Sequence, residues 1–211
     1  LGNFEFDALG VRWARDLGSD DYNLPDYFSG STQTSTRWTY YRLNSFSHNI
    51  PVLGNKNQDV NATSSFVTHS EGVTEPFAIV DFTSAYKEFA SSAKRGFKVL
   101  DNRKAILVQD EFVLSKSCDI AWGMTSDATI EIIEPQKAVL TLNGMKLTAR
   151  ILSPANAVFS SGSAEQAAPQ KQNLGVKRLF AKSPPTSENV TIIVLLSPNW
   201  SGVESNLNPV I

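Results

Sequence analysis

The sequence predicts an all-β protein, a large antiparallel β-sandwich (supersandwich-like) of about a dozen strands. Short segments rich in β-branched and aromatic residues recur along the chain, and turn residues separate most of them. No long segment repeats apolar residues at the helical spacing of about 3.6. The chain has 211 residues, which is enough for one large domain. We therefore predict a single sandwich domain over residues 1–211, with 198–211 as a possible tail.

The first two strands are predicted to form a hairpin. Asn3–Ala8 alternates apolar and polar residues, Leu9-Gly10 marks a turn, and Val11–Ala14 returns as the second strand. Residues 22–36 contain Pro, Gly, Ser and Thr and are predicted to form a loop.

The middle of the chain is less regular. Arg37–Arg42 is aromatic and is predicted to be a strand, in which Trp38, Tyr40 and Arg42 share one face. Ile50–Leu53 contains a proline, which indicates an edge strand or the start of a strand. Residues 85–93 are compatible with a short helical turn.

Phe77–Phe82 is predicted to be a strand, and from Lys94 onward the pattern becomes a series of strands, most of them separated by turn signals. Asn143-Gly144 is the strongest hairpin turn among these signals. Ser160–Gln172 is small and polar and is predicted to be a mobile surface loop. The predicted strands are Phe77–Phe82, Lys94–Leu100, Ala105–Gln109, Phe112–Leu114, Asp119–Met124, Thr129–Ile133, Ala138–Leu142, Lys146–Ile151, Lys177–Ala181 and Val190–Leu196.

The composition argues against several classes of protein. Lys and Arg total 19 against 21 Asp and Glu, and no basic stripe is present, so nucleic acid is not an expected partner. The longest apolar run, Val190–Leu196, has the length of a strand, so no membrane span is expected. The single cysteine, Cys118, excludes an internal disulfide and is predicted to be a buried, inert thiol.

Asp16 and His48 are the residues best suited to carry chemistry. Each lies near the edge of a predicted strand, so the two could converge, and a carboxylate with an imidazole suits a metal or acid–base site. The ordinary interpretation, favoured from these residues alone, is a turn-capping aspartate and a half-buried histidine. Zinc normally takes three or four protein ligands, and the other histidine, His69, lies in a predicted polar loop. A complete zinc site from this chain alone is therefore not expected.

The aromatic run around Tyr40 suggests a ligand surface. A strand face with Tyr and Arg suits a sugar ring that carries a carboxylate, because the ring stacks and the guanidinium binds the anion. The alternative is that one face is simply core and the other is solvated, as in most half-buried strands. Nucleophile-elbow, P-loop and zinc-protease motifs are absent from the sequence. Asp20-Asp21 is interpreted as a solvated turn.

Four segments together resemble the heparinase II/III-like polysaccharide lyases. They are Gly2–Gly18, Asp21-Tyr22, Tyr40–Arg42 and Ser47–Asn49. The resemblance extends over essentially the whole chain, as the C-terminal β-sandwich of such enzymes, and its specific part is residues 2–22 and 40–49. It implies that an N-terminal α/α-toroid domain precedes this sandwich in a longer protein.

The resemblance also assigns roles to residues. The family's His-x-His-x-Asp-x-Gly-x-Phe motif ends on Gly2 and Phe4, which places its histidines before Leu1. One of those histidines is catalytic and the other binds zinc, and the remaining zinc ligands correspond to Asp16 and His48. The catalytic tyrosine comes from the toroid, so no catalytic residue is expected within residues 1–211.

Candidate substrate-binding residues in this reading are Tyr40, Tyr41, Arg42 and Asn49. The implied reaction is β-elimination on a glycan that contains uronic acid: a base removes the C5 proton, and an acid protonates the departing O4. The implied partners are an anionic polysaccharide and the protein's own toroid, and the implied location is the periplasm or exterior of a bacterium. Zinc is expected in the longer protein, whereas the 211-residue chain alone should lack lyase activity and bind zinc weakly or not at all.

Two alternatives to the lyase interpretation remain open. The chain could be a non-catalytic carbohydrate-binding or assembly module, or a structural sandwich whose parent protein has lost activity. Binding of glycans by the isolated domain, abolished by Tyr40→Ala, would favour the carbohydrate-binding module.

Overall fold

A computed structural model describes residues 1–72, 74–202, 204 and 207. Its 14 strands are arranged in antiparallel sheets of eight, four and two strands, which confirms the predicted all-β class. The strands are β1 (Phe6–Ala8), β2 (Val11–Ala14), β3 (Pro51–Leu53), β4 (Ser65–Ser70), β5 (Phe77–Asp81), β6 (Ala90–Leu100), β7 (Ala105–Leu114), β8 (Cys118–Ser126), β9 (Thr129–Glu134), β10 (Lys137–Leu142), β11 (Met145–Ser153), β12 (Val158–Ser163), β13 (Lys177–Thr186) and β14 (Val190–Pro198).

The two larger sheets enclose the main core. The eight-stranded sheet has the order β4-β5-β6-β7-β14-β11-β10-β9, and the four-stranded sheet has the order β12-β13-β8-β3. Buried residues of both sheets, such as Trp122 of β8 and Leu140 of β10, belong to one hydrophobic cluster. Trp13 joins this cluster from the β1–β2 hairpin, so the hairpin that precedes Asp16 is fixed to the sandwich.

Strand β13 shows the alternation that separates core from outer face. Leu179 and Ala181 are fully buried in the core cluster. Arg178, Phe180 and Lys182 alternate with them and therefore lie on the outer face of the four-stranded sheet.

The predicted strand over Arg37–Arg42 is wrong. The segment forms two 3₁₀ turns, Thr36–Thr39 and Tyr41–Leu43. Its backbone hydrogen bonds are local, from Trp38 N to Ser35 O and from Tyr40 N to Arg37 O. Alternating aromatic residues indicate a strand only when a partner strand is available, and here the backbone is satisfied within the turns.

Other differences concern edges and boundaries. His69 was predicted to lie in a loop, but it lies on β4, a strand at the edge of the eight-stranded sheet. No side chain of β4 is buried, so its sequence lacks the alternation of apolar and polar residues by which a half-buried strand is recognised. Strand β12 takes in the first residues of the predicted loop 160–172 by pairing with β13. The predicted helical turn near residue 85 is a 3₁₀ turn, Thr83–Tyr86, after which β6 begins at Ala90. The hairpin at Asn143-Gly144 is confirmed, because Leu142 pairs with Met145.

The predicted tail, residues 198–211, is described only in part. Trp200–Gly202 forms a short 3₁₀ turn, and residues 203, 205, 206 and 208–211 lie outside the described residues. In the part of the chain that the structure covers, no helix has the length and apolar character needed to cross a membrane.

Gly54, in the turn after β3, should be far more sensitive to substitution than Gly144. Both have positive φ, +55° and +78°, but a Cβ at Gly54 would overlap the buried ring of Phe89, whereas open space surrounds Gly144. We expect Gly54→Ala to lower the free energy of unfolding by about 3 kcal/mol and Gly144→Ala by about 1 kcal/mol. Urea unfolding of both variants measures the difference, and equal losses would contradict the packing at Gly54.

Candidate functional site

Asp16 and His48 are brought together at one edge of the sandwich. Asp16 follows β2, where the neighbouring Arg15 N donates to Thr125 O over 3.0 Å, and His48 lies just before β3. Asp16 Oδ2 is 2.6 Å from His48 Nδ1. Both side chains are partly accessible, with exposed fractions of 25% and 31%. Both side chains are therefore accessible to a ligand that approaches from solvent.

The surroundings of Asp16 keep its carboxylate ionised. The hydrogen bond from His48 is the main cause that lowers the pKa of Asp16, and the Gly18 N–H and Asn3 amide act in the same direction. The ionised Asp16 Oδ2 accepts a hydrogen bond from the Nδ1–H of His48. A metal ion can take the place of that proton, because a carboxylate oxygen and a neutral imidazole nitrogen are both common zinc ligands.

A groove of about 340 Å³ adjoins the pair. Trp38, Leu43 and Gln58 line it together with Asp16 and His48. Trp38 donates its indole N–H to Thr32 O over 2.9 Å, which fixes the ring at the edge of the groove. An indole face beside polar groups is a surface on which a sugar ring can stack. The sequence placed Trp38 in an aromatic strand, and only the 3₁₀ turns bring it to this groove.

Tyr40 and Arg42 do not line the groove, and both make contacts within the protein. The Tyr40 hydroxyl donates to Pro25 O over 2.5 Å. Arg42 donates from Nε to Asn173 Oδ1 over 2.7 Å and from Nη1 to Leu17 O over 2.5 Å. These bonds fasten the 3₁₀ segment to its neighbouring loops, and a role in substrate binding stays a prediction.

Tyr41 packs away from the groove as well. It contacts a small apolar cluster of Leu17, Ala164 and Val176, and burial raises the pKa of its hydroxyl. Its backbone N–H donates to Gln170 Oε1 over 2.7 Å. Its predicted contact with substrate also remains untested.

Asn49 is fully buried and connects three segments. Its amide donates to Phe4 O over 2.7 Å and to Arg15 O over 3.1 Å, and its Oδ1 accepts from Thr125 N over 2.6 Å. Its contact with substrate stays a prediction, and its hydrogen bonds link the backbone beside Asp16 to the backbone beside His48. We therefore assign it a positioning role.

Beneath this segment lies a fully buried ion pair. Arg95 of β6 donates from Nε and Nη2 to the two oxygens of Asp110 on β7, each over 2.7 Å. Its Nη1 donates to Gly2 O over 2.7 Å and to Asn49 O over 2.6 Å. One guanidinium therefore links the eight-stranded sheet to the N-terminal residues and to the segment that carries His48.

The backbone carbonyls of Ser47, His48 and Asn49 each accept a hydrogen bond from a buried side chain. Thr125 Oγ1 donates to Ser47 O over 2.7 Å, and Arg178 Nη2 donates to His48 O over 3.0 Å. Arg95 Nη1 donates the third of these hydrogen bonds, to Asn49 O. Strands from both large sheets thus fix the backbone at His48, so the position of the His48 side chain depends on how the two sheets pack.

These buried polar residues were not found from the sequence. The pair Asp110-Glu111 divided the predicted strands Ala105–Gln109 and Phe112–Leu114, although β7 runs through both. An acidic residue inside an apolar strand was the one available signal of a buried partner.

The donor types at the pair suit zinc, but their number does not complete a site. An imidazole nitrogen and a carboxylate oxygen are common zinc ligands, and three or four protein ligands are usual. Among the described residues, no three His, Cys, Asp or Glu side chains cluster closely enough to hold a metal ion. Asp16 and His48 thus fit as part of a ligand set.

Comparison with known proteins identifies the fold. No family model and no curated protein matches the sequence. The solved heparan sulfate lyase HepC from Pedobacter heparinus aligns with 99% of this chain at 12% identity and a TM-score of 0.70. A crystal structure of heparinase III aligns with 93% of the chain at 13% identity, also with a TM-score of 0.70. The chain has the fold of a heparinase III sandwich.

The match to heparinase III is partial in length. A further heparinase III gene product, solved with methylated lysines, gives a TM-score of 0.69 at 14% identity. The chain spans 29–31% of the length of these three lyases. The heparinase II/III-like resemblance seen in the sequence is thus confirmed as a shared sandwich fold.

Proposed function

We propose that this chain is the sandwich domain of a polysaccharide lyase that cleaves glycans containing uronic acid by β-elimination. The Asp16–His48 contact beside an open groove, within a heparinase III-like fold, is the observation that carries this proposal. The proposed partners are the anionic glycan and an α/α-toroid domain of the same protein. We place the enzyme in the periplasm or outside a bacterial cell, where it would have access to such polysaccharides.

Asp16 and His48 act in this proposal as zinc ligands, completed by a ligand from a preceding segment of a longer protein. A zinc ion held by these residues would supply positive charge that links the two ligand-bearing loops at the edge of the cleft. Asp16 Oδ2 and His48 Nδ1, which face each other, would hold the ion. Asn49 fixes the backbone of both loops, and the Trp38 ring offers a stacking surface for a sugar. The base and the acid of the elimination come from residues outside this chain.

The matched pair His48→Ala and His69→Ala tests the proposal. In the full-length protein we expect His48→Ala to lower zinc affinity and lyase rate by about 100-fold or more, because a ligand is lost. His69 lies on the exposed edge strand β4, so His69→Ala should leave both unchanged. Zinc content after dialysis and the ultraviolet absorbance of the unsaturated product are the two measurements.

The outcomes separate the lyase from a binding module. Full zinc content and full activity in His48→Ala would overturn the proposed site, and turnover by the 211-residue chain alone would contradict the placement of the catalytic groups outside it. Uronate-glycan binding without any product in the full-length protein would favour the non-catalytic carbohydrate-binding module.

A further inference from the structure

Arg178 is a buried cation without a counter-ion. Its exposed fraction is 2%, and burial lowers its pKa to about 10, so it is still charged at neutral pH. Within the described residues no carboxylate lies at ion-pair distance from it. Arg95, equally buried, has both oxygens of Asp110. A buried charge without a partner is costly, so the difference between the two arginines calls for an anion at Arg178.

The guanidinium of Arg178 also has unused hydrogen-bonding capacity. Nη1 donates to Thr125 Oγ1 over 2.5 Å, and Nη2 donates to His48 O over 3.0 Å. Nε is buried and has no partner. Guanidinium carries five N–H donors, and hydrogen-bond partners among the described residues are found for two of those on Arg178, so a ligand with several acceptor oxygens would match this group.

A cavity of about 600 Å³ lies against Arg178 on the outer face of the four-stranded sheet. Phe180 and Lys182 of β13 line it, together with Asn55, Asn156 and one carboxylate, Asp119. Lys182 is exposed and makes no ion pair among the described residues. With two cations and one anion, the lining carries a net positive charge.

Phe180 lies between the two cations. Arg178 Cζ is 5.3 Å and Lys182 Nζ is 5.1 Å from the centre of its ring. The ring is only half-buried, and both Phe180 and Arg178 line the cavity. An apolar ring flanked by two cations suits a sugar that carries an acidic group.

Gly123 on the neighbouring strand β8 makes room for the guanidinium. A Cβ at this position would overlap Arg178 Nη2. The backbone φ of Gly123 is not in the left-handed region, so the requirement for glycine here is one of space. The strand pair is therefore shaped to hold Arg178 at the base of the cavity.

We propose that this cavity is an oxyanion site that binds the carboxylate or sulfate group of an acidic sugar. Arg178 is the principal contact, Lys182 is the second, and the Phe180 ring packs against the sugar. The cavity and the groove of Asp16 and His48 have no lining residue in common, although Arg178 also bonds the backbone of His48. The oxyanion site goes beyond the proposed function, because it requires neither zinc nor lyase activity.

Nitrogen–proton NMR spectra of the 211-residue chain test direct contact. We expect the Arg178 Nε–H resonance, identified by its absence in Arg178→Lys, to shift saturably with sodium sulfate or sodium glucuronate. Sodium chloride at matched ionic strength and glucose should leave it in place. A response to sulfate alone indicates a sulfate ester, a response to glucuronate alone indicates a uronate, and a response to both indicates a shared oxyanion site. No saturable shift with either anion would overturn the proposal.

Two lysine variants locate the binding. Lys182→Gln should lower the affinity for the anion about 2- to 5-fold, as expected for one partly solvated charge. Lys177→Gln removes the same charge from the same strand outside the cavity lining and should leave the affinity unchanged. Equal affinities of the two variants would overturn the placement of the anion at this cavity, and this comparison holds even where Arg178→Lys does not fold.

Discussion

Arg95→Met is expected to lower the free energy of unfolding by about 3–5 kcal/mol, a large part of the stability of an ordinary domain. The variant leaves the Asp110 carboxylate fully buried without its two hydrogen bonds from Arg95. It also removes the donor shared by Gly2 O and Asn49 O. Urea or guanidinium unfolding measures the loss.

Arg12→Met is the matched control for Arg95→Met. Arg12 also bonds two carboxylates, Glu5 and Asp7, but its side chain is 50% exposed. Solvent replaces the lost contacts, so the control should lower the free energy of unfolding far less than Arg95→Met does. The double variant Arg95→Met with Asp110→Leu should recover much of the loss, because it leaves no unpaired buried charge. Equal effects of Arg95→Met and Arg12→Met would contradict the burial of the ion pair.

Asn49→Ala should lower the free energy of unfolding by about 3 kcal/mol. Three buried hydrogen bonds of its side chain disappear, leaving Phe4 O, Arg15 O and Thr125 N without their partner. Each buried bond contributes about 1 kcal/mol, and unsatisfied groups add to the loss. Faster hydrogen exchange at the Thr125 amide reports the missing acceptor directly.

Asn61→Ala provides the comparison for Asn49→Ala. Asn61 is exposed and the same atoms are removed, so its unfolding free energy should change by no more than about 0.5 kcal/mol. If Asn49→Ala unfolds as the wild type does and the Thr125 amide keeps its protection, Asn49 does not hold the segment that carries His48. The positioning role assigned to it would then be wrong.

The strands that could be predicted are those whose pattern is local. The turn at Asn143-Gly144 sits between two alternating segments, and the structure forms the hairpin there. The aromatic segment Arg37–Arg42 had a similar alternation, yet no strand in the described part of the chain pairs with it, and it folds into turns. Alternation of apolar and polar residues indicates which side chains would share a face of a strand. It does not show whether another strand is positioned to form backbone hydrogen bonds with that segment.

The candidate site shows the same division. Asp16 and His48 could be singled out because their residue types suit metal or proton chemistry and because the surrounding motif resembles a known family. Their 2.6 Å contact and the role of Asn49 depend on segments that are distant in the chain. Arg95, Asp110 and Arg178 appeared as ordinary strand residues, since the burial of a charged side chain depends on what packs against it.

The sequence by itself determined the all-β class, most strand positions and the pair of residues at the centre of the proposed site. These depend on residue type and on spacing within one or two strands, which local sterics and hydrophobic alternation control. Only the tertiary structure decided that two buried arginines and Thr125 hold the backbone around His48 and that Trp38 borders the groove. It also decided that, among the described residues, the buried Nε of Arg178 has no hydrogen-bond partner. Buried hydrogen bonds and ion pairs between sheets depend on contacts between segments that are distant in the sequence, so a local sequence pattern cannot predict them.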